Sequence, residues 1–479
     1  MACDDSISKI PWFHGLLPRE EVKLLLSKNG DYLLRMSEPS AGQTRHLVLS
    51  VMQNQDDPSH EGMHYVIRTD AGRYSITERE SFGSLLDLVT HHRSVRLNEN
   101  VPSSVLVGPI CRQPWELNHE DVTMTKTLGE GAFGEVRSGT LRLPTGAVVD
   151  VAVKVAKLEK CTKEQIREIT TEARLMRKFD HRNVVRCWGV AAVEEPLLVV
   201  MELVQGGGLD GYLKKNQVAM SEKMDIIHQV AAGLAYIHKQ NIMHRDIASR
   251  NVLYGNQVAK VSDFGLSRVG SVYQMDPNKK APIRWLSPET MVTFTYTHAT
   301  DVFAFGVLCW EVLENGQMPY PGLTVSEVHQ KVVKDDFRMS IRPEAPQTLQ
   351  DIIKKCWLRD SNIRPRMEEV NNLTMTFSLQ KKVDKRGLGQ ERARIIPAPK
   401  GHSGRSRDKT GRRKIHQKRP SAAGFGKGSQ VLSGSQRDDV LPNPSSPNNL
   451  VEKEKNDGEK KPKGGHKHKK GRSKDSKDT

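Results

Sequence analysis

The spacing of apolar residues changes several times within the first 110 positions. Residues 18–27 place Val22, Leu25 and Leu26 at three-to-four spacing, which predicts a short helix. Residues 32–37, 46–52 and 64–68 are compact apolar runs that read as strands, and 82–91 return to helical spacing. A second unit begins near Glu120. A glycine-rich stretch at 128–136 lies between strand-like runs, and 151–154 is a short apolar strand. Residues 164–179 carry Ile166, Ile169, Ala173 and Met176 at helical spacing. Residues 197–204 form a further apolar strand that runs into the glycine triplet 206–208. Past residue 377 the periodicity stops. The pattern predicts an α+β multidomain chain divided at 12–110, 111–121 (a short joint), 122–377 and 378–479.

Charge sharpens the last boundary. The 479 residues carry a formal net charge of +16, yet residues 381–479 hold 28 Lys and Arg against 11 Asp and Glu, a net of +17. The rest of the chain therefore sums to about −1, and the basic character belongs to the tail. That tail is rich in Lys, Gly, Ser and Pro and is expected to be disordered. Its clusters, 412–414 and 466–470, suit an anionic lipid surface, with plain solvation as the simpler account; without interleaved aromatics, no specific nucleic acid is expected. The six cysteines form no Cys-x-x-Cys pair, which favours free thiols in a reducing compartment and argues against structural zinc. The first nine residues lack the apolar core of a signal peptide, and no apolar run approaches the roughly 18 residues of a membrane span. The expected location is cytoplasmic, with the tail able to recruit the chain to the inner face of the plasma membrane.

Several polar residues interrupt apolar surroundings. Arg35 stands in the middle of the strand at 32–37, where a guanidinium is costly unless an anion meets it; an internal salt bridge is the alternative. Leu128-Gly129-Glu130-Gly131-Ala132-Phe133-Gly134-Glu135-Val136 lets backbone approach phosphate closely. Gly-x-Gly-x-x-Gly is also a dinucleotide fingerprint, but strand residues follow it here, not a helix, and Lys154 in Val151-Ala152-Val153-Lys154 lies eighteen residues past Val136. Glu172, on the helix at 164–179, is the expected partner of Lys154. His244-Arg245-Asp246, with Asn251 five residues past Asp246 and Asp263-Phe264-Gly265 twelve past Asn251, supplies a base and two oxygen ligands for a hard cation.

These segments together resemble the protein-kinase family. The resemblance implies a bilobal fold and phosphoryl transfer from ATP with Mg²⁺. Asp246 would be the base, Lys154 and Glu172 the phosphate-orienting pair, and Asn251 and Asp263 the metal ligands. Leu128 to Val136, Ala152 and the hinge backbone of Glu202 and Val204 would surround the nucleotide, with Met201 behind it. Arg250, four residues after Asp246, and the segment 281–285 with Pro282 and Trp285 match the tyrosine-specific branch. Arg364 would pair with Glu289. The departures (Ser249, Ser287, and Phe303 for Trp) touch no catalytic atom, so a working enzyme is expected; a phosphotyrosine-binding scaffold with an inactive kinase domain is the alternative.

Residues 12–110 resemble the SH2 domain, through Trp12-Phe13-His14-Gly15, Arg19, the Arg35 strand and His64-Tyr65. That implies a phosphotyrosine pocket with Arg35 at its base, Arg19 assisting, Ser37 donating and His64 lining it. Val66 stands where some members have Lys. The pairing of modules resembles non-receptor tyrosine kinases, most of all the Fer/Fes group; with eleven residues before Trp12, the F-BAR region of that group cannot be carried over. Tyr273, the only Tyr between Asp263 and Glu289, sits where the family carries its autophosphorylation site. Its segment, 269–280, is expected to be a mobile loop, with Arg245 and Arg268 available to a phosphate.

Overall fold

The computed structural model describes residues 5–38, 44–57, 59, 62–131, 134–156, 162–375 and 377. The N-terminal unit is built on a five-stranded sheet with spatial order β4-β3-β2-β1-β5: β1 (Asp31–Ser37), β2 (His46–Val51), β3 (Met63–Asp70), β4 (Arg73–Ser75) and β5 (Gly108–Pro109). The first four are antiparallel neighbours, and β5 joins β1 as a two-residue parallel rung. After the short α1 (Asp5–Ser8), helices α2 (Arg19–Leu25) and α3 (Leu85–His91) complete the unit. The predicted start of the second helix, residue 82, moves to 85 because the Ser84 hydroxyl accepts from the Asp87 amide and caps the helix there.

The second unit has the expected two lobes. The small lobe is an antiparallel sheet of order β6-β7-β8-β10-β9: β6 (Val122–Gly131), β7 (Gly134–Arg142), β8 (Val148–Ala156), β9 (Cys187–Ala191) and β10 (Leu197–Glu202). It carries α4 (Lys163–Met176), whose Thr162–Gln165 capping box fixes the helix start and whose Ile166, Ile169, Ala173 and Met176 are buried. The large lobe contains α5 (Leu209–Lys215), α6 (Met220–Lys239), α7 (Pro288–Thr293) and α8 (His298–Leu313). Nearly every residue of α8 is buried, which makes it the axis of that lobe.

The joint at 111–121 is not a free tether. Leu117 N–H donates to Val190 O and Val190 N–H donates to Trp115 O, so the linker lies along β9. The indole of Trp115 is covered by the Arg177 guanidinium, 3.5 Å from the ring centroid. The N-terminal unit docks on the same side. Leu16 N–H donates to Ala192 O, and the buried Glu21 of α2 pairs with Arg174 and Arg177 at the C-terminal end of α4, at 3.4 and 3.1 Å. Gly15 adopts φ +59°, and a β-carbon there would lie 2.0 Å from Ala192 O, so this close approach requires glycine.

Candidate active site and phosphotyrosine pocket

Lys154 is placed by the small-lobe sheet. It lies on β8, paired across to Val136 of β7 and Val199 of β10, and its Nζ meets Glu172 Oε2 at 2.8 Å. Burial raises the Glu172 pKa and the Lys154 charge opposes the rise. The glycine-rich strands β6 and β7 turn above this pair. Gly134 (φ +149°) has no room for a side chain, since a β-carbon would stand 2.0 Å from Val155 O. Leu128, Gly129, Glu130, Gly131, Glu135 and Val136 lie on these strands, and Ala152 pairs with Met201; Ala132 and Phe133 lie outside the described residues. Glu202 ends β10 and Val204 follows it into the connection to α5.

The loop at 244–251 is held from beneath by α8. One Asp301 carboxylate accepts from the backbone N–H of His244 and of Arg245, both at 2.7 Å, and contacts His238 Nε2 at 3.0 Å. Ten residues on, Glu311 accepts from the Ser249 amide, the Ser249 hydroxyl and Trp285 Nε1. This clamp presents Asp246 with Arg250 Nη2 at 2.6 Å, while the Arg250 guanidinium stacks 4.2 Å over Trp285. Asn251 Nδ2 donates to Asp246 O, so its side-chain carbonyl oxygen is the atom that could serve as a ligand. Phe264 is buried against Phe179 and His244, and Asp263 (φ +61°) precedes it.

The donor set suits a hard cation. Burial raises the Asp246 pKa, and the nearby Asp263 charge pushes both Asp246 and Glu172 further up, so the cleft holds carboxylates whose repulsion a divalent ion would relieve. Among the described residues no group of three or more His, Cys, Asp and Glu forms a metal cage. One carboxylate and one amide oxygen match the sparse protein ligation of Mg²⁺, which takes its remaining ligands from phosphates and water.

Arg364 meets Glu289 as a bidentate pair, at 2.6 and 2.8 Å. Tyr273 departs from the expected loop. It lies on β11 (Val272–Gln274), paired with β12 (Thr295–Thr297), and Arg245 and Arg268 stand over its ring at 4.1 and 5.4 Å. A β-ladder and two stacked guanidinium groups hold the segment where composition alone suggested mobility.

In the N-terminal unit, Arg35 is 2% exposed; its Nε donates to Ser50 Oγ and Nη1 to Leu17 O. Burial, and then the charge of Arg19, pull its pKa down to about 10, so the guanidinium is still charged at neutral pH. Arg19 and Ser37 line the cavity it faces. His64 stands one step back, its Nδ1 3.0 Å from the Ser50 hydroxyl that Arg35 also uses. Sequence reasoning missed Asp301 and Glu311 as supports of the loop, and Glu21 as the link between units. Asp301 opens a segment that resembles the family's Asp-x-Trp-x-x-Gly helix start, but the partners of all three carboxylates are remote in sequence.

A bilobal domain with this ion pair, loop and buried phenylalanine, joined to a cavity lined by a buried arginine, defines a protein kinase with a phosphotyrosine-recognition module. Residues 122–373 match the family described as protein tyrosine and serine/threonine kinase, and 12–92 match the SH2 domain. Similar proteins include Fer-related kinase 1 of Caenorhabditis elegans, 35% identical over 79% of this chain and 96% of the relative. Tyrosine-protein kinase Fer of Homo sapiens is 36% identical over 76% of this chain and 44% of its own length. Tyrosine-protein kinase ABL2 of Homo sapiens is 31% identical over 94% of this chain and 40% of its own. The chain belongs to the SH2-bearing non-receptor protein tyrosine kinases, homologous to the Fer and Abl enzymes. Membership implies ATP as phosphoryl donor, protein tyrosines as acceptors and phosphotyrosyl proteins as SH2 ligands.

Proposed function

We propose that Asp246, Lys154, Glu172, Arg250, Asn251 and Asp263 carry the transfer, and that Arg35 directs the enzyme to tyrosine-phosphorylated proteins in the cytoplasm. The observation that carries this reading is the formed Lys154–Glu172 pair at 2.8 Å in a cleft that also holds Asp246, Asn251 and Asp263. Lys154 orients the phosphates, and Glu172 keeps its ammonium directed into the cleft. Asn251 and Asp263 would hold Mg²⁺, which would supply positive charge to neutralise the phosphate oxygens. As the acceptor tyrosine attacks, the bond from γ-phosphorus to the ADP oxygen breaks, and the phenol proton passes to the Asp246 carboxylate. Arg250 pins that carboxylate from one side, and its stacking on Trp285 couples base position to the loop that must admit a phenol.

The purified chain with ATP, Mg²⁺ and a poly-Glu-Tyr acceptor should transfer phosphate to tyrosine. Asp246→Asn should abolish turnover, by a factor on the order of 10² or more, while ATP binding persists, because the base is lost and the phosphate cradle remains. Turnover within a few-fold of the parent would remove Asp246 from its role.

A further inference from the structure

We infer that the phosphotyrosine site is composite: Lys163 and Arg167, on the kinase domain's helix α4, form part of the wall that receives the SH2 ligand. This rests on the reading of Arg35 as the phosphate anchor. The cavity, about 330 Å³, is lined by Arg19, Arg35, Ser37 and Arg45 from the N-terminal unit and by Lys163 and Arg167 from the small lobe. Each kinase cation is tied to the neighbour of an SH2 pocket residue. Lys163 Nζ donates to the carbonyl of Glu38, next to Ser37, at 3.1 Å. Arg167 Nε meets the carboxylate of Glu20, next to Arg19, at 2.9 Å.

The charge balance supports an anionic ligand. Five cationic side chains face three carboxylates, Glu20, Glu38 and Glu164, around the cavity. The burial that lowers the Arg35 pKa means that this guanidinium gains most from an incoming phosphate. Strand β3 offers no cation toward the ligand at position 66, which is Val66, half exposed at 38%. Lys163 supplies an ammonium from outside the SH2 unit. Among the described residues its hydrogen bond is to a carbonyl at the cavity rim, which a phosphate oxygen can replace at little cost, whereas Arg167 is held by Glu20 and shapes the wall.

The test is calorimetry on the full chain with a phosphotyrosyl peptide and its unphosphorylated control. Lys163→Met keeps the aliphatic stem and removes the charge; affinity should fall about fivefold to tenfold at low salt, and Lys163→Arg should restore it to within about twofold. The loss should shrink as salt rises. Arg35→Leu should abolish binding. If Arg35→Leu abolishes it and Lys163→Met leaves it unchanged, the pocket belongs to the SH2 unit alone and the composite site is overturned. If Arg35→Leu also binds normally, the anchor itself is misassigned and both readings fall.

Discussion

Two carboxylates on α8 do different work because their surroundings differ. Asp301 is fully enclosed, yet His238, His244 and the Arg245 amide lower its pKa against the effect of burial. Glu311 has neutral donors as its nearest partners; burial dominates and raises it from an ordinary 4.5 to about 7. The native state therefore holds the Glu311 proton more tightly than the unfolded chain does. Its stabilising contribution is complete below about pH 4.5, declines as pH rises, and is gone above about 7, an effect of roughly 3 kcal/mol. Glu311→Gln should remove this slope. Gln keeps a carbonyl oxygen where Oε2 accepts from Ser249 N and Trp285 Nε1, and its amide can donate to the Ser249 hydroxyl at the Oε1 position. Melting temperatures from pH 4.5 to 7.5 should fall less steeply in the variant, and parallel curves would show that another group titrates. The residues legible in the sequence were those with motif neighbours: Lys154, Asp246, Asn251 and Asp263 sit at fixed short spacings, and Arg35 is conspicuous inside an apolar strand. Glu311 gave no such signal, because its partners Ser249 and Trp285 are 62 and 26 residues away.

At the scale of elements, α4 joins two jobs. Its middle presents Glu172 to Lys154, and its C-terminal end is gripped by Glu21 of α2 through Arg174 and Arg177. The helix was readable from its apolar spacing; the grip was not, since Glu21 looks like any solvent-facing glutamate until α2 is docked. Glu21→Ala leaves two guanidinium groups without their buried anion. It should lower kcat/KM for the peptide acceptor about threefold or more by loosening the Glu172 position, with the far-ultraviolet circular dichroism unchanged; equal kinetics would confine the grip to stability. The β11–β12 ladder sets the terms for Tyr273. Phosphate on its hydroxyl would convert the stacked contacts of Arg245 and Arg268 into charge-assisted hydrogen bonds. Tyr273→Phe retains the ring and the ladder, so it should fold normally, start severalfold less active after preincubation with ATP, and show no lag. A progress curve identical to the parent would exclude control at this tyrosine.

Across the whole molecule, charge is divided unevenly along the sequence. Residues 378–479, which lie outside the described residues, carry the net positive charge. Among the described residues no helix is long and apolar enough to cross a membrane. If the tail engages lipid, each Lys or Arg near an anionic surface contributes roughly 1 kcal/mol, screened within about a Debye length. Deleting residues 381–479 should remove salt-sensitive binding to phosphatidylserine vesicles and leave peptide phosphorylation intact. Equal vesicle binding by both forms would return the tail to simple solvation.

The joint between the two units, read from sequence as a spacer, is stacked into the small lobe through Trp115 under Arg177. That geometry gives the protein its own optical gauge. An indole pressed against a guanidinium emits differently from one in water, and Arg177 also holds Glu21. The emission that disappears in Trp115→Phe therefore reports, without any attached dye, whether the recognition unit is seated on the enzyme at a given moment.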